Sequence, residues 1–199
     1  MSGVREFDPE QALADAMQVF WRRGYGDTSM ENVVSETGVS RYGLYGTFGN
    51  KKALLVAALR HFEHSISELL WSSLHKPDAG RAEIIEYWQS VLRHAEGKGF
   101  CNGCLIVNVA AEVAPHDPEI AAEVQRIDND HATVLAAAIR NGQKAGDIAP
   151  DLDADGVGKM FVSLSRGLAL MVRAGTNPGD LAGAVEAGLS VLGSPRKVG

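Results

Sequence analysis

Apolar residues recur at three- and four-residue spacing along almost the whole chain, in runs punctuated by glycine and proline, and this period constrains the fold more than any other feature. Leu13, Ala16, Met17 and Phe20 form one stripe, and Leu55, Leu59, Phe62, Ile66, Leu69 and Leu70 form a second. Ile84, Ile85, Trp88, Val91 and Leu92 make a third, and Ile120, Val124, Ile127, Val134, Leu135 and Ile139 another. Each suits a helix that buries one face. No run alternates with period two between hairpin turns, and no repeat or low-complexity tract intervenes. The fold class expected is all-α.

Capping chemistry sets the boundaries. Asp8-Pro9-Glu10-Gln11 reads as a helix start, with Asp8 as N-cap, Pro9 at the first helical position and Gln11 closing a capping box; Gly24 ends that helix. Thr28-Ser29-Met30-Glu31 reads as a second box, with Thr28 as the cap and the Glu31 carboxylate reaching back. Gly38 then permits a turn with positive φ, Val39 plugs the angle, and Ser40 caps a third helix from Arg41 to about Phe48. Helix, short glycine turn, helix is the arrangement whose second helix enters the DNA major groove.

Asn50 starts a long helix without a breaker before Pro77, and further helices are expected over 81–96, 105–113 and from Pro118 to near Gly142. Gly146 to Asp153 reads as a loop, and helices at about 154–174 and 178–192 form a hairpin. Its apolar faces suit either a single-chain core or a four-helix homodimer interface. The expected organisation is a three-helix helix-turn-helix DNA-binding domain at 1–49 and a helical bundle for effector binding and dimerisation at 50–199.

A formal net charge of -6, taken alone, opposes nucleic-acid binding, which draws its affinity from neutralised phosphates. Distribution matters more. No Asp or Glu lies between Thr37 and Phe62, a window that contains Arg41, Lys51, Lys52 and Arg60. No apolar run approaches a membrane span and the two cysteines are only three apart, so a cytoplasmic chain without membrane contact is expected.

Leu13 to Phe20, Gly24-Tyr25, Thr28-Ser29-Met30, Gly38-Val39-Ser40, Leu44-Tyr45, Phe48, Lys51 and Leu54-Leu55 resemble, in order and spacing, the N-terminal pattern of TetR-type bacterial transcription regulators. The resemblance implies a dimer that binds a pseudo-palindromic double-stranded DNA operator, most simply as a repressor, and a small-molecule effector that releases it. By position it implies that Thr28, Tyr45 and Lys51 hold phosphates while Ser40, Arg41 and Tyr42 face base edges or backbone. Arg41 can fork onto guanine O6 and N7, and Tyr42 can donate a hydroxyl or pack on a thymine methyl. The chain departs from the family at Tyr42-Gly43 and Gly46, and each glycine costs about 1 kcal/mol of helix propensity relative to Ala.

An effector pocket is implied within the later helices, with Tyr87, Trp88, Phe100, Asn108, Glu112 and His131 as candidate walls. Cys101-Asn102-Gly103-Cys104 is open to three readings. Cys104 can pack as a small hydrophobe with Cys101 in a loop, the pair can sense redox or electrophilic signals, or a helical enzyme or redox protein can use it. A zinc site would have to conscript His94 or His116, and no such pair has the usual spacing. No Ser-His-Asp order, phosphate-cradling loop or metal helix supports an enzyme, so no metal and no cofactor are expected.

Overall fold

The computed structural model describes residues 7–97 and 102–193, and among them it is all-helical. The α-helices among the described residues are α1 (Pro9–Arg23), α2 (Met30–Thr37), α3 (Arg41–Phe48), α4 (Lys51–Ile66), α5 (Arg81–Glu96), α6 (Leu105–Glu112), α7 (Pro118–Ala145), α8 (Ala154–Arg173) and α9 (Ala182–Ser190). No helix among the described residues is long and apolar enough to cross a membrane.

Several caps follow the sequence directly. Asp8 accepts from the Glu10 amide at 2.9 Å, and Ser40 accepts from the Gly43 amide at 3.1 Å. Asn50 accepts from the Ala53 amide at 2.9 Å, and Gly38 turns the chain at φ 67°. Two expected boxes differ. Ser29, not Thr28, caps α2, and its partner is Asn32: the Ser29 amide donates to Asn32 Oδ1 at 2.9 Å and the Asn32 amide to Ser29 Oγ at 3.2 Å. Thr28 turns inward instead and gives its hydroxyl to the Gly24 carbonyl at 2.6 Å. At α1, Gln11 donates along the helix to Asp15 rather than back to the cap.

The helix after Asn50 is also interrupted earlier than expected. α4 gives way at Ser67–Trp71 to a π-helical turn, which inserts an extra residue into the register. Leu70 and Trp71 are thereby buried, whereas Leu69, expected on the same stripe, is 55% exposed. α7 continues through Gly142 to Ala145, and the Gly142 carbonyl then accepts the amides of Asp147 and Ile148 as the chain folds back. The final helix opens with a 3-10 turn at Pro178–Leu181.

The chain divides into two compact units. One comprises the described residues of Met1–Ser65 with Asn108–Val124, the other those of Ile66–Val107 and Gln125–Gly199. The first is thus larger than residues 1–49. In it α1 packs on α2 and α2 on α3, with Phe20, Val33, Leu44, Leu55 and Leu59 fully buried and Trp21 edge-on to Phe62 at 5.0 Å. The second is built on an aromatic chain: Trp71 lies 4.7 Å from Tyr87, Tyr87 5.3 Å from Trp88, and Trp88 5.6 Å from Phe161.

The two glycines of α3 differ in their surroundings. A Cβ at Gly43 would meet Phe7 and Val39 at 3.1 Å, whereas one at Gly46 meets nothing within 4 Å. Gly46→Ala is therefore expected to stabilise the protein by about 1 kcal/mol through helix propensity, and Gly43→Ala to gain less or lose. Urea unfolding of both variants checks this, and equal gains would contradict the packing described for Gly43.

Candidate nucleic-acid interface and effector site

α3 is held by one fully buried residue, and Arg41, Tyr42, Tyr45 and Gly46 are exposed. Leu44 is fully buried in the core of the first unit, and Phe48 is half-buried. Tyr42 stands 91% exposed and Tyr45 38%, while Ser40 and Arg41 are also exposed. The capping fixes this orientation: Ser40 Oγ and the Gly38 turn set where α3 begins, and the periodicity then places Arg41 and Tyr45 four apart on one face. Arg41 Nη1 donates to Glu31 Oε1 at 2.6 Å, Nη2 donates to Tyr45 Oη at 3.5 Å, and the guanidinium lies 5.5 Å from the Tyr45 ring centroid.

The other expected phosphate contacts are placed less openly. Thr28 has no exposed surface and its hydroxyl is committed to Gly24, so it presents nothing to a phosphate. Lys51 is half-buried, with Nζ 4.1 Å above the Tyr25 ring; burial lowers its ammonium from the usual lysine range, and the Glu112 charge opposes that shift. The acid-free window of the sequence is also not a free basic patch. Lys52 pairs with Asp117 at 3.3 Å and Glu119 at 2.7 Å, and Arg60 donates to both Glu123 carboxylate oxygens at 2.9 and 3.1 Å. These acids are remote in sequence and close in the fold.

Glu112 and Asn108 lie in the first unit, Tyr87, Trp88 and His131 in the second, while Phe100 and Cys101 lie outside the described residues. Glu112 has a structural task that periodicity did not reveal. Its Oε2 accepts from the Tyr25 amide at 3.0 Å and its Oε1 from the Gly26 amide at 2.6 Å, holding the turn between α1 and α2. The flanking glycines admit it, since a Cβ at Gly24 or Gly26 would come within 2.9 or 3.0 Å of the carboxylate.

In the second unit the polar residues gather around Arg166, which the sequence reading overlooked. Arg166 donates twice to Asp128 Oδ1, at 3.0 and 2.7 Å, and lies 3.5 Å from Cys104 Sγ and 3.3 Å from His131 Nδ1. Cys104 is a buried free thiol. Tyr87 is fully buried, its hydroxyl 3.4 Å from Ser165 Oγ, and burial pushes its phenol up to about 12. His131 stacks on Trp71 at 4.1 Å, and burial first, then the charge of Arg166, pushes its imidazole down to about 3. With an arginine facing Nδ1, the proton of neutral His131 belongs on Nε2. That Nε2 and Trp88 Nε1 are the two buried side-chain polar atoms without a hydrogen-bond partner among the described residues. Among the described residues no group of three or more His, Cys, Asp or Glu is placed to hold a metal ion.

Two families match this chain: residues 12–58 match "Bacterial regulatory proteins, tetR family", and residues 80–187 match "Tetracyclin repressor-like, C-terminal domain". The second match alone spans more than half of the chain. The chain belongs to the TetR family.

It is accordingly a DNA-binding transcription regulator with an N-terminal helix-turn-helix and a C-terminal helical domain. Among its TetR relatives, the HTH-type transcriptional regulator YezE of Bacillus subtilis (strain 168) is 25% identical over 193 residues, covering 96% of this chain and 100% of that one. The transcriptional repressor ComR of Escherichia coli (strain K12) is 24% identical over 172 residues, covering 86% and 82%. In fold, the chain is similar to a cysteine mutant of the TetR-family regulator CifR complexed with 26-bp double-strand operator DNA: TM-score 0.85, 24% identity, 96% and 100% of the two chains. It is similar also to the reduced form of E. coli NemR, with TM-score 0.84, 21% identity and 94% and 98% coverage.

The C-terminal domain should respond to acid through His131. Below pH 6.5 the unfolded chain takes up a proton that the folded imidazole refuses until about pH 3, with Arg166, Arg126 and His75 all opposing the charge. Stability from this residue is complete above pH 6.5 and falls as pH drops, by roughly 2 kcal/mol between pH 7.5 and 5. Urea unfolding at both pH values checks it. The difference between the parent and His131→Gln isolates the contribution, and identical pH dependence in the two would refute it.

Proposed function

We propose that this TetR regulator is a repressor that sits as a dimer on a pseudo-palindromic operator, with α3 of each protomer in the major groove. The exposed face of α3, with Arg41, Tyr42 and Tyr45 outward over buried Leu44, carries the reading. Arg41 serves as the base-reading fork, Tyr42 as a groove contact, and Ser40, Tyr45 and Lys51 as backbone contacts, Lys51 beside the free amides at the start of α4. Thr28 then acts indirectly, by fixing the turn ahead of α2. Pairing of protomers through α8 and α9 is supported by the exposed apolar groups Met160, Leu170, Met171 and Val191. A DNA partner supports a cytoplasmic location, and no chemistry on a substrate is part of the reading.

Release is assigned to a signal at the polar cluster of the second unit. Two buried donors, Trp88 Nε1–H and His131 Nε2–H, favour a small molecule that offers an acceptor, because an unpaired buried donor costs free energy that such a ligand returns. A thiol-directed signal is the second reading, favoured by the fixed guanidinium of Arg166 beside the Cys104 sulfur. Either would favour a conformation whose two recognition helices no longer span both half-sites.

Selection of duplexes from a random library by the purified protein tests the DNA face. Arg41→Ala is expected to cost roughly 1–3 kcal/mol on the selected duplex and to relax sequence preference. Lys51→Ala is expected to weaken all duplexes alike and to reduce the slope of log affinity against log salt by about 1. Two variants that bind like the parent would remove α3 and the start of α4 from the DNA face.

A further inference from the structure

We propose that Glu31, on α2, is a specificity-determining positioning residue that holds the Arg41 guanidinium as a base-reading fork and blunts its attraction for phosphates. The inference rests on the reading of α3 as the DNA face. Arg41 is gripped from two sides, by the Glu31 carboxylate at 2.6 Å from the neighbouring helix and by the Tyr45 hydroxyl at 3.5 Å one turn along its own. Each grip uses one N–H on a different Nη, which leaves the second N–H of each and the Nε–H to donate elsewhere. A guanidinium is planar and rigid, so fixing two of its donors orients the remaining ones.

Glu31 lies outside the reciprocal capping box of α2, so its carboxylate can stay at the first turn and still reach Arg41. Ser29 and Asn32 satisfy each other across the first turn, and the carboxylate predicted to close that box accepts from Arg41 on α3 at Oε1. Its own backbone amide first, then the Ser29 side chain and Arg41, hold the Glu31 carboxyl below the usual carboxylate range, so it carries its charge throughout the pH range of DNA binding. Both partners are largely exposed, at 68% for the Glu31 side chain and 59% for Arg41, so the pair faces outward with the α3 surface.

Two consequences push specificity in the same direction. An arginine ordered before DNA arrives avoids an entropic cost on a matching base pair that amounts to roughly 2- to 12-fold in affinity. The adjacent carboxylate meanwhile repels phosphates, which weakens complexes that depend on backbone contacts alone. Glu31 thus strengthens the right complex and weakens the wrong one.

The test measures binding to a duplex selected from a random library and to a scrambled duplex of the same composition, for the full-length parent, Glu31→Gln, Arg41→Ala and the double variant. Glu31→Gln is expected to weaken the selected duplex about 3- to 10-fold and to tighten the scrambled one about 2-fold, lowering their ratio about tenfold. Glu31→Asp, which keeps the charge but shortens the reach, is expected to weaken the selected duplex without tightening the scrambled one. In the Arg41→Ala background Glu31→Gln is expected to shift both duplexes by the same small factor, which is the coupling a positioning role requires. If Glu31→Gln alone shifts both duplexes equally, Glu31 is only a bulk charge and the inference fails while the DNA-face reading stands. If Arg41→Ala leaves the selected duplex unaffected, the DNA-face reading fails and takes the inference with it.

Discussion

The helix-turn-helix depends on a carboxylate that comes from far along the chain. The turn between α1 and α2 carries two amides, of Tyr25 and Gly26, and Glu112 accepts both. A carboxylate that accepts two amides at once ties the turn to α6 with directional, charge-assisted bonds. The same turn receives the Thr28 hydroxyl from the other side and has Lys51 seated over the Tyr25 ring. The start of α2, the start of α4 and the end of α6 therefore share one small junction, and α3 inherits its position from it. This is why the compact unit reaches beyond the three helices that read DNA and takes in Asn108–Val124.

Local physics explains what the sequence revealed. Caps and periodicity act over four residues, so the starts of α1, α3 and α4, the turn at Gly38 and the burial of Leu44 could all be read from neighbours in the chain. Where a local choice was close, the reading went astray: Thr28 and Ser29 can both cap, and the buried slot beside Gly24 took Thr28 because its methyl and hydroxyl are both satisfied there. The π-helical turn at Ser67–Trp71 is likewise invisible to a fixed period, and the Trp71 it carries packs on Tyr87 and His131, which are remote in sequence. Arg166 and Glu112 went unrecognised in their roles because their partners lie 38 and more than 80 residues away. A polar residue on an otherwise apolar helix was the available signal, and it marks a need for a partner without naming one.

The second unit spends its polar residues differently. Arg166 is compensated by Asp128, so its charge is stable in place, and it fixes the tautomer of His131 by facing Nδ1. That choice leaves the His131 Nε2 proton, like that of Trp88 Nε1, unpaired inside an aromatic shell of Trp71, Tyr87 and Phe161. Two unpaired donors in a core cost a few kcal/mol in total. A fold that retains them is more easily shifted by an acceptor than one whose core is fully satisfied, because satisfying them recovers a cost already present in the free protein.

The net charge of -6 is reconciled with DNA binding by how the ion pairs are distributed. Lys52 and Arg60 are neutralised by Asp117, Glu119 and Glu123, Arg22 by Glu36, and Arg41 is gripped by Glu31, so most cations of the first unit are engaged before any DNA arrives. Apart from the pair with the buried Glu123, these pairs are largely exposed and add little to stability. Their effect is on recognition: each neutralised cation removes part of the sequence-independent attraction to phosphates and leaves a larger share of binding to what α3 can read. With Tyr42 almost fully exposed and the Arg41 guanidinium bonded to Glu31 and Tyr45, the proposed DNA face favours discrimination between base pairs over strength on any duplex. An acidic chain can therefore be a selective DNA binder, provided its acids sit where they hold arginines still.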